Sequence, residues 1–182
     1  AQAFSAETLP DFKISGAAKV AQIDTFCGKT FFKRLFIEGQ STAGRKIVPA
    51  PNGNFYIAAS VGDITMIALI DREMEVVWAQ SVDFGPGYDN FLDMRMDSEG
   101  QLIGVGNAVN SIVECFAFKM NAADGQLLWL SKLNDPTSCW FTRILEKNNG
   151  ANYLLFGQTD LLGSGNNSGC DALLMEINRN TG

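Results

Sequence analysis

Histidine is absent from this 182-residue chain. That removes the side chain most used for proton transfer near neutral pH and the commonest metal ligand. The four cysteines, Cys27, Cys115, Cys139 and Cys170, stand far apart with no CxxC pair. A zinc site would need all four to converge. The chain is long enough not to need a disulfide framework, and Cys115, inside the apolar run from Val113 to Phe118, reads as a buried free thiol. No window approaches the ~18 uninterrupted apolar residues that span a bilayer. The first residues, Ala1 to Ser5, show no charged segment leading into an apolar one; their small side chains suit the start of a mature, exported chain. Positive charge is scarce: 14 Lys and Arg stand against 20 Asp and Glu, giving a net charge of −6, which argues against nucleic acid as a principal partner. Half of the cations fall in the first fifty residues. The cluster Lys29, Lys33, Arg34, Arg45 and Lys46 reads as charge on the wet faces of strands, with a small anion-binding patch as the alternative.

What the chain does have is repetition. Gly53 opens a run, Phe55 to Ser60, that is followed by Ala68 to Asp71 and then Val76-Val77-Trp78. Gly100 opens a second, followed by Ala117 to Met120 and Leu127-Leu128-Trp129, and Gly150 a third, followed by Ala172 to Ile177. The opening glycines are 47 and 50 residues apart and the tryptophans 51 apart. A sustained period of this size marks a stacked or radial repeat whose single unit cannot bury its own apolar face.

Each unit divides into short runs rich in Ile, Val, Phe, Tyr and Trp, separated by turn residues, with no room for a helix of ordinary length. The first full unit predicts strands at 46–50, 55–60, 65–70 and 75–81. The second predicts strands at 91–96, 101–106, 113–120 and 126–132, with a turn at 107–111. Partial units flank them: strands three and four at 19–24 and 29–36, and strands one to three at 141–145, 152–156 and 172–177. The resulting division is a lead-in at 1–18, a partial unit at 19–44, complete units at 45–90 and 91–139, and a partial unit at 140–182. Four antiparallel strands in sequence order, repeated about every 48 residues, describe a β-propeller blade, here about three and a half blades of a larger ring. An elongated β-solenoid is the competing architecture. A bare strand edge at the end of the last unit points to a longer parent chain or to completion by other chains.

The junctions between strands three and four carry a signature. Ala68-Leu69-Ile70-Asp71 before Val76-Val77-Trp78, and Ala117 to Asn121 before Asp124-Gly125-Gln126-Leu127-Leu128-Trp129, resemble the Ala-x-Asp…Gly-x-x-x-Trp repeat of quinoprotein-like β-propellers. Ala21-Gln22-Ile23-Asp24…Gly28 to Phe32 is a degraded copy, and Asp171 to Gly182 is similar to propeller repeats in large bacterial secreted and cell-surface proteins. The resemblance implies that Trp78 and Trp129 dock neighbouring blades, the ring packing between them and the indole N–H bonding to backbone. Phe32 keeps the packing and loses the donor. Quinone- and calcium-dependent dehydrogenases of this kind pair axial carboxylates with a cofactor and often carry a vicinal disulfide; neither feature is visible here.

The remaining candidates are sparse. Asp160 and Asp171 flank the longest loop and are the weak calcium ligands, without the dense one-three-five spacing of calcium loops. Asn166-Asn167-Ser168 fits a glycosylation sequon. Tyr88, beside the turn Gly85-Pro86-Gly87, and Trp140, after Asp135 to Cys139, belong to equivalent links before strand one and are the aromatic candidates for a protein or glycan partner. With no nucleophile motif, metal cluster or cofactor cradle, the sequence favours a non-catalytic, extracellular or cell-surface module of a bacterial surface protein. A quinone- and calcium-dependent oxidoreductase domain and a structural spacer are the alternatives.

Overall fold

The computed structural model describes residues 13–15, 34–36, 40–85, 87–111, 113–133, 138–147, 150–160 and 170–182. All of its extended elements are antiparallel strands. β1 (Lys13–Ser15) pairs with β2 (Arg34–Phe36) in a two-stranded ribbon. β3 (Thr42–Pro49), β4 (Phe55–Val61), β5 (Ile64–Ile70) and β6 (Val76–Val82) form the first sheet in chain order. β7 (Tyr88–Met96), β8 (Leu102–Val109), β9 (Val113–Met120) and β10 (Leu127–Leu133) form the second. β11 (Cys139–Glu146), β12 (Asn152–Thr159) and β13 (Asp171–Asn178) form the third. The third sheet has three strands, one fewer than the four-stranded plan, and the described sheets do not close a ring. The expected strand at 19–24 lies outside the described residues.

The repeating glycines have a conformational cause. Gly53, Gly100 and Gly150 each close the turn between the first and second strands of a sheet, at φ of 77°, 73° and 66°. That left-handed region costs a side chain energy and costs glycine little. In the second sheet, the Asp97 carboxylate completes the turn by accepting the N–H groups of Glu99 and Gln101.

The first strand of each of these three sheets begins earlier than the apolar runs predict. Its register slips at Arg45 in β3, at Leu92 in β7 and at Thr142 in β11, each a single residue skipped in the pairing. These positions are 47 and 50 residues apart, the same spacing as the opening glycines. A bulge inverts which side chains face inward, so in the sequence the residues before it are out of phase with the strand and resemble links. Tyr88 and Trp140, expected in loops, are therefore in β7 and β11. Likewise Asn107, expected in a turn, is buried within β8.

The sheets stack face to face, with β7 packed against β3 on one side and β11 on the other. The first interface is aromatic. Phe84, Phe91, Phe116 and Phe118 meet Tyr56, Ala58 and Ile67, and the Phe84 and Phe116 rings stack with centroids 3.4 Å apart. Phe116 and Phe118 lie across Gly106 and Gly104, their partners on β8. Side chains at those glycines would occupy the space that the rings fill. The second interface is smaller and is crosslinked: Ile103, Val105 and Ala117 meet Phe141, Ile144, Tyr153 and Leu155. Cys115 is not a free thiol but is bonded to Cys139, with Cα atoms 5.6 Å apart, joining β9 to β11. The bulge at Thr142 hid this pairing, because Cys139 lies on its far side.

Gly106→Ala places a methyl group in the Phe116 ring and 2.5 Å from the Asn90 carbonyl oxygen. Overpacking of this kind costs about 1–3 kcal/mol. The expected outcome is a lower denaturant midpoint with an unchanged slope in equilibrium unfolding.

Candidate functional site

Polar groups gather at three places where the sheets meet. The first follows the bulge in each opening strand, where the next residue is Lys46, Asp93 or Arg143. Asp93 is fully buried in the second sheet. It pairs with the Lys46 ammonium of the first sheet at 2.7 Å and with Arg95 at 3.3 Å. It also accepts the Ile144 N–H of the third sheet at 3.2 Å. Burial alone would raise this carboxyl, but the Lys46 ammonium, the Ile144 N–H and the Arg95 charge hold it below the ordinary range. Lys46 is thus part of an inter-sheet ion pair, a correction to its reading as surface charge.

The second cluster clasps the second and third sheets at the opposite end of these strands. The buried Asp97 carboxylate accepts the Tyr153 hydroxyl at 2.7 Å and meets Lys119 at 3.2 Å and Arg179 at 3.4 Å. Arg179 continues to Glu146 at 3.0 Å, and Glu146 accepts the Ser98 N–H at 2.8 Å. Burial raises the Asp97 carboxyl, and the Tyr153 hydroxyl, the Gln101 N–H and Lys119 outweigh it, leaving it lowered. Burial pushes the Tyr153 hydroxyl up, and its bond to Asp97 pushes it further. The sequence held one signal of this network: Lys119, a lone cation inside the apolar run from Cys115 to Met120.

The third cluster joins the first and second sheets beside Tyr88. Tyr88 is exposed, and its hydroxyl accepts Arg45 Nη2 at 2.5 Å while Arg45 Nε donates to Ser60 at 2.8 Å. The bulge at Arg45 projects this guanidinium toward the neighbouring sheet. The next residue, Asp89, is fully buried; its N–H donates to the Asp63 carbonyl, and its carboxylate accepts the Phe84 N–H at 3.3 Å. One carboxylate oxygen is left without a hydrogen bond. Burial, with the Asp83 charge adding, pushes Asp89 up to about 7, against the opposing Phe84 and Thr65 N–H groups and Lys132.

The other expected residues are dispersed. Trp140 is half-buried, on the face of the third sheet that includes Gln158 and Phe156. Trp78 packs on Gly125 of the second sheet and lies 6.0 Å from the Tyr56 ring, but its indole nitrogen has no hydrogen-bond partner among the described residues. Trp129 packs on Gly182 and donates its indole N–H to the Arg179 carbonyl at 3.0 Å. The two glycines occupy matching turns, with φ of 76° and 78° and N–H bonds to the Asn121 and Asn178 carbonyls. Phe32, Lys29, Lys33, Cys27 and the sequon lie outside the described residues. Asp160 is exposed and accepts the Cys170 thiol at 3.0 Å, and Asp171 opens β13. Among the described residues no group of three or more Cys, Asp or Glu is placed to hold a metal ion. No helix there is long and apolar enough to cross a membrane.

Neither a scan of protein-family models nor a search of curated proteins finds a match to this chain.

Asp89 predicts a pH dependence. Its carboxyl rises from an ordinary 3.8 to about 7 in the folded chain. Between these values the folded state keeps a proton that the unfolded state releases, so stability falls as pH rises and levels off above about 7. Asp89→Asn is expected to flatten the melting temperature between pH 4 and 7 and to raise it above wild type at pH 8. An unchanged slope in differential scanning calorimetry would assign that dependence elsewhere.

Proposed function

We propose that the chain is a run of β-propeller blades, serving as a non-catalytic, extracellular or cell-surface module that contacts a protein or glycan partner. The observation that carries the architecture is the threefold repetition of one meander. Each has a bulge at the same place in its first strand, and the first strands stand side by side. Sheets that neighbour one another along their opening strands are the arrangement of propeller blades about an axis. The packing of Trp78 on Gly125 and of Trp129 on Gly182 supports the resemblance to quinoprotein-like propellers. The Cys115–Cys139 disulfide supports an oxidising compartment.

For binding, the exposed Tyr88 ring held by the Arg45 guanidinium is the best-formed polar-aromatic surface. An aromatic face beside a cation and a hydroxyl suits a sugar ring or a polar peptide segment. Trp140, half-buried on the sheet face that includes Gln158 and the half-exposed Phe156, is the second aromatic candidate. The test is a glycan array, with hits titrated by calorimetry against wild type, Tyr88→Ala and Arg45→Ala. At least a tenfold loss of affinity with an unchanged melting temperature is expected for Tyr88→Ala. Affinity indifferent to both substitutions would place the contact surface elsewhere, and an array without hits would remove the glycan form of the reading.

A further inference from the structure

The junction between the first and second sheets carries a group that the junction between the second and third lacks. The residue skipped by the bulge is Arg45 in β3 and Leu92 in β7. Ser60 and Asn107 hold matching places on the next strands, each paired with the residue two before the bulge. Tyr88 in turn matches Ser138, each standing just before a buried residue, Asp89 or Cys139. Arg45, Ser60 and Tyr88 at one junction are therefore Leu92, Asn107 and Ser138 at the other. The sheets stack at both, so stacking requires neither the arginine nor the tyrosine.

The Arg45 guanidinium is fixed but uncompensated. Its Nε donates to the buried Ser60 hydroxyl and its Nη2 to the Tyr88 hydroxyl, so it is held from both sheets. Among the described side chains, every other lysine and arginine except Arg143 lies within ion-pairing distance of a carboxylate. Arg143 donates to the carbonyl of Thr142 beside it. Arg45 is exposed and meets no carboxylate among the described residues, although the chain holds 20 Asp and Glu. The N–H groups that Ser60 and Tyr88 leave unused include a parallel pair, one from each Nη, the fork that grips both oxygens of a carboxylate. Tyr88 accepts from Arg45 and so keeps its own hydroxyl hydrogen for a ligand oxygen.

We infer that this junction binds an acidic glycan, a sugar ring that carries its own carboxylate as uronic and sialic acids do. The carboxylate sits on the free fork of Arg45 and the ring lies against Tyr88. The inference rests on the reading of Tyr88 and Arg45 as a contact surface, and it narrows that surface to anionic sugars. A sugar acid is favoured over an acidic peptide because its carboxylate is attached to the ring that stacks. The Tyr88 ring and the Arg45 fork are likewise held at one spacing by their hydrogen bond, so both contacts form with little ordering on either side. An Asp or Glu side chain of a peptide offers the carboxylate alone and must be ordered as it binds.

The test is calorimetric titration with oligosaccharides of galacturonate, glucuronate, mannuronate and sialic acid, each beside the same oligosaccharide with its carboxyl groups reduced to alcohols. A glutamate-rich peptide is the third arm. Wild type is expected to bind at least one acidic oligosaccharide at least tenfold tighter than its reduced counterpart, and tighter than the peptide. Arg45→Leu carries the residue that β7 has at the same place, so it is expected to keep the wild-type melting temperature and to bind the acidic and reduced forms equally. Arg45→Gln, which removes the charge and keeps a polar side chain, is expected to do the same. Equal affinity of wild type for the two forms would overturn the inference and leave the neutral-glycan reading of the surface in place. A preference for the acidic form that survives both substitutions would overturn it as well, as would tighter binding of the peptide. Failure of every oligosaccharide to bind would overturn it together with the glycan form of the proposed function.

Discussion

The Asp93 carboxylate is the group on which the stacking depends. It lies in the opening strand of the second sheet, pairs with Lys46 of the first and accepts a backbone N–H from the third. No water reaches it. A charge buried this completely is tolerated only where partners surround it, and here those partners come from all three sheets. The bulge before it makes this possible. Without the slipped residue at Leu92, Asp93 would lie on the opposite face and each ladder partner would shift with it.

The two interfaces on either side of Asp93 solve the same packing problem with different chemistry. The first relies on rings folded over glycines, a non-directional contact that stabilises through burial and close packing. The second combines a smaller apolar cluster with a disulfide and the clasp around Asp97. Buried ionic networks contribute little net stability compared with apolar packing, yet removing one member is costly. The clasp therefore sets how the third sheet is positioned more than how tightly it is held. Tyr153 shows the division within one residue: its ring belongs to the apolar cluster and its hydroxyl to Asp97.

Much of this fold was legible in the sequence. Gly53, Gly100 and Gly150 mark positions where the backbone enters the left-handed region, and such glycines stand out at any regular spacing. Strands β4, β5 and β9 end within one residue of the predicted bounds because each is a run of strand-forming residues closed by turn residues, whereas β8 and β12 continue three residues past theirs. The opening strands depart from theirs, since a bulge shifts the pattern by one residue and makes Tyr88, Asp89 and Cys139 look like link residues. The polar clusters were harder still. Lys46 and Asp93 are 47 residues apart and Asp97 and Tyr153 are 56 apart, and each pair meets only because two sheets stack in one register. Asp97 reads locally as a turn residue, a role it also fills. Nothing in the local pattern around Cys115 distinguishes a buried thiol from half of a disulfide.

The most direct test of the account is a double-mutant cycle on Lys46→Met and Asp93→Leu, read by equilibrium denaturation. Asp93→Leu leaves Lys46 without its counter-charge, and Lys46→Met leaves the buried carboxylate with only Arg95 at 3.3 Å and the Ile144 N–H. The double change replaces the pair with apolar groups of similar length. A coupling energy of about 1–3 kcal/mol, with the double variant more stable than Lys46→Met alone, is the expected result. Additivity within about 0.5 kcal/mol would contradict the account, because it would mean that Lys46 and Asp93 act independently and that the first two sheets are not joined through this pair.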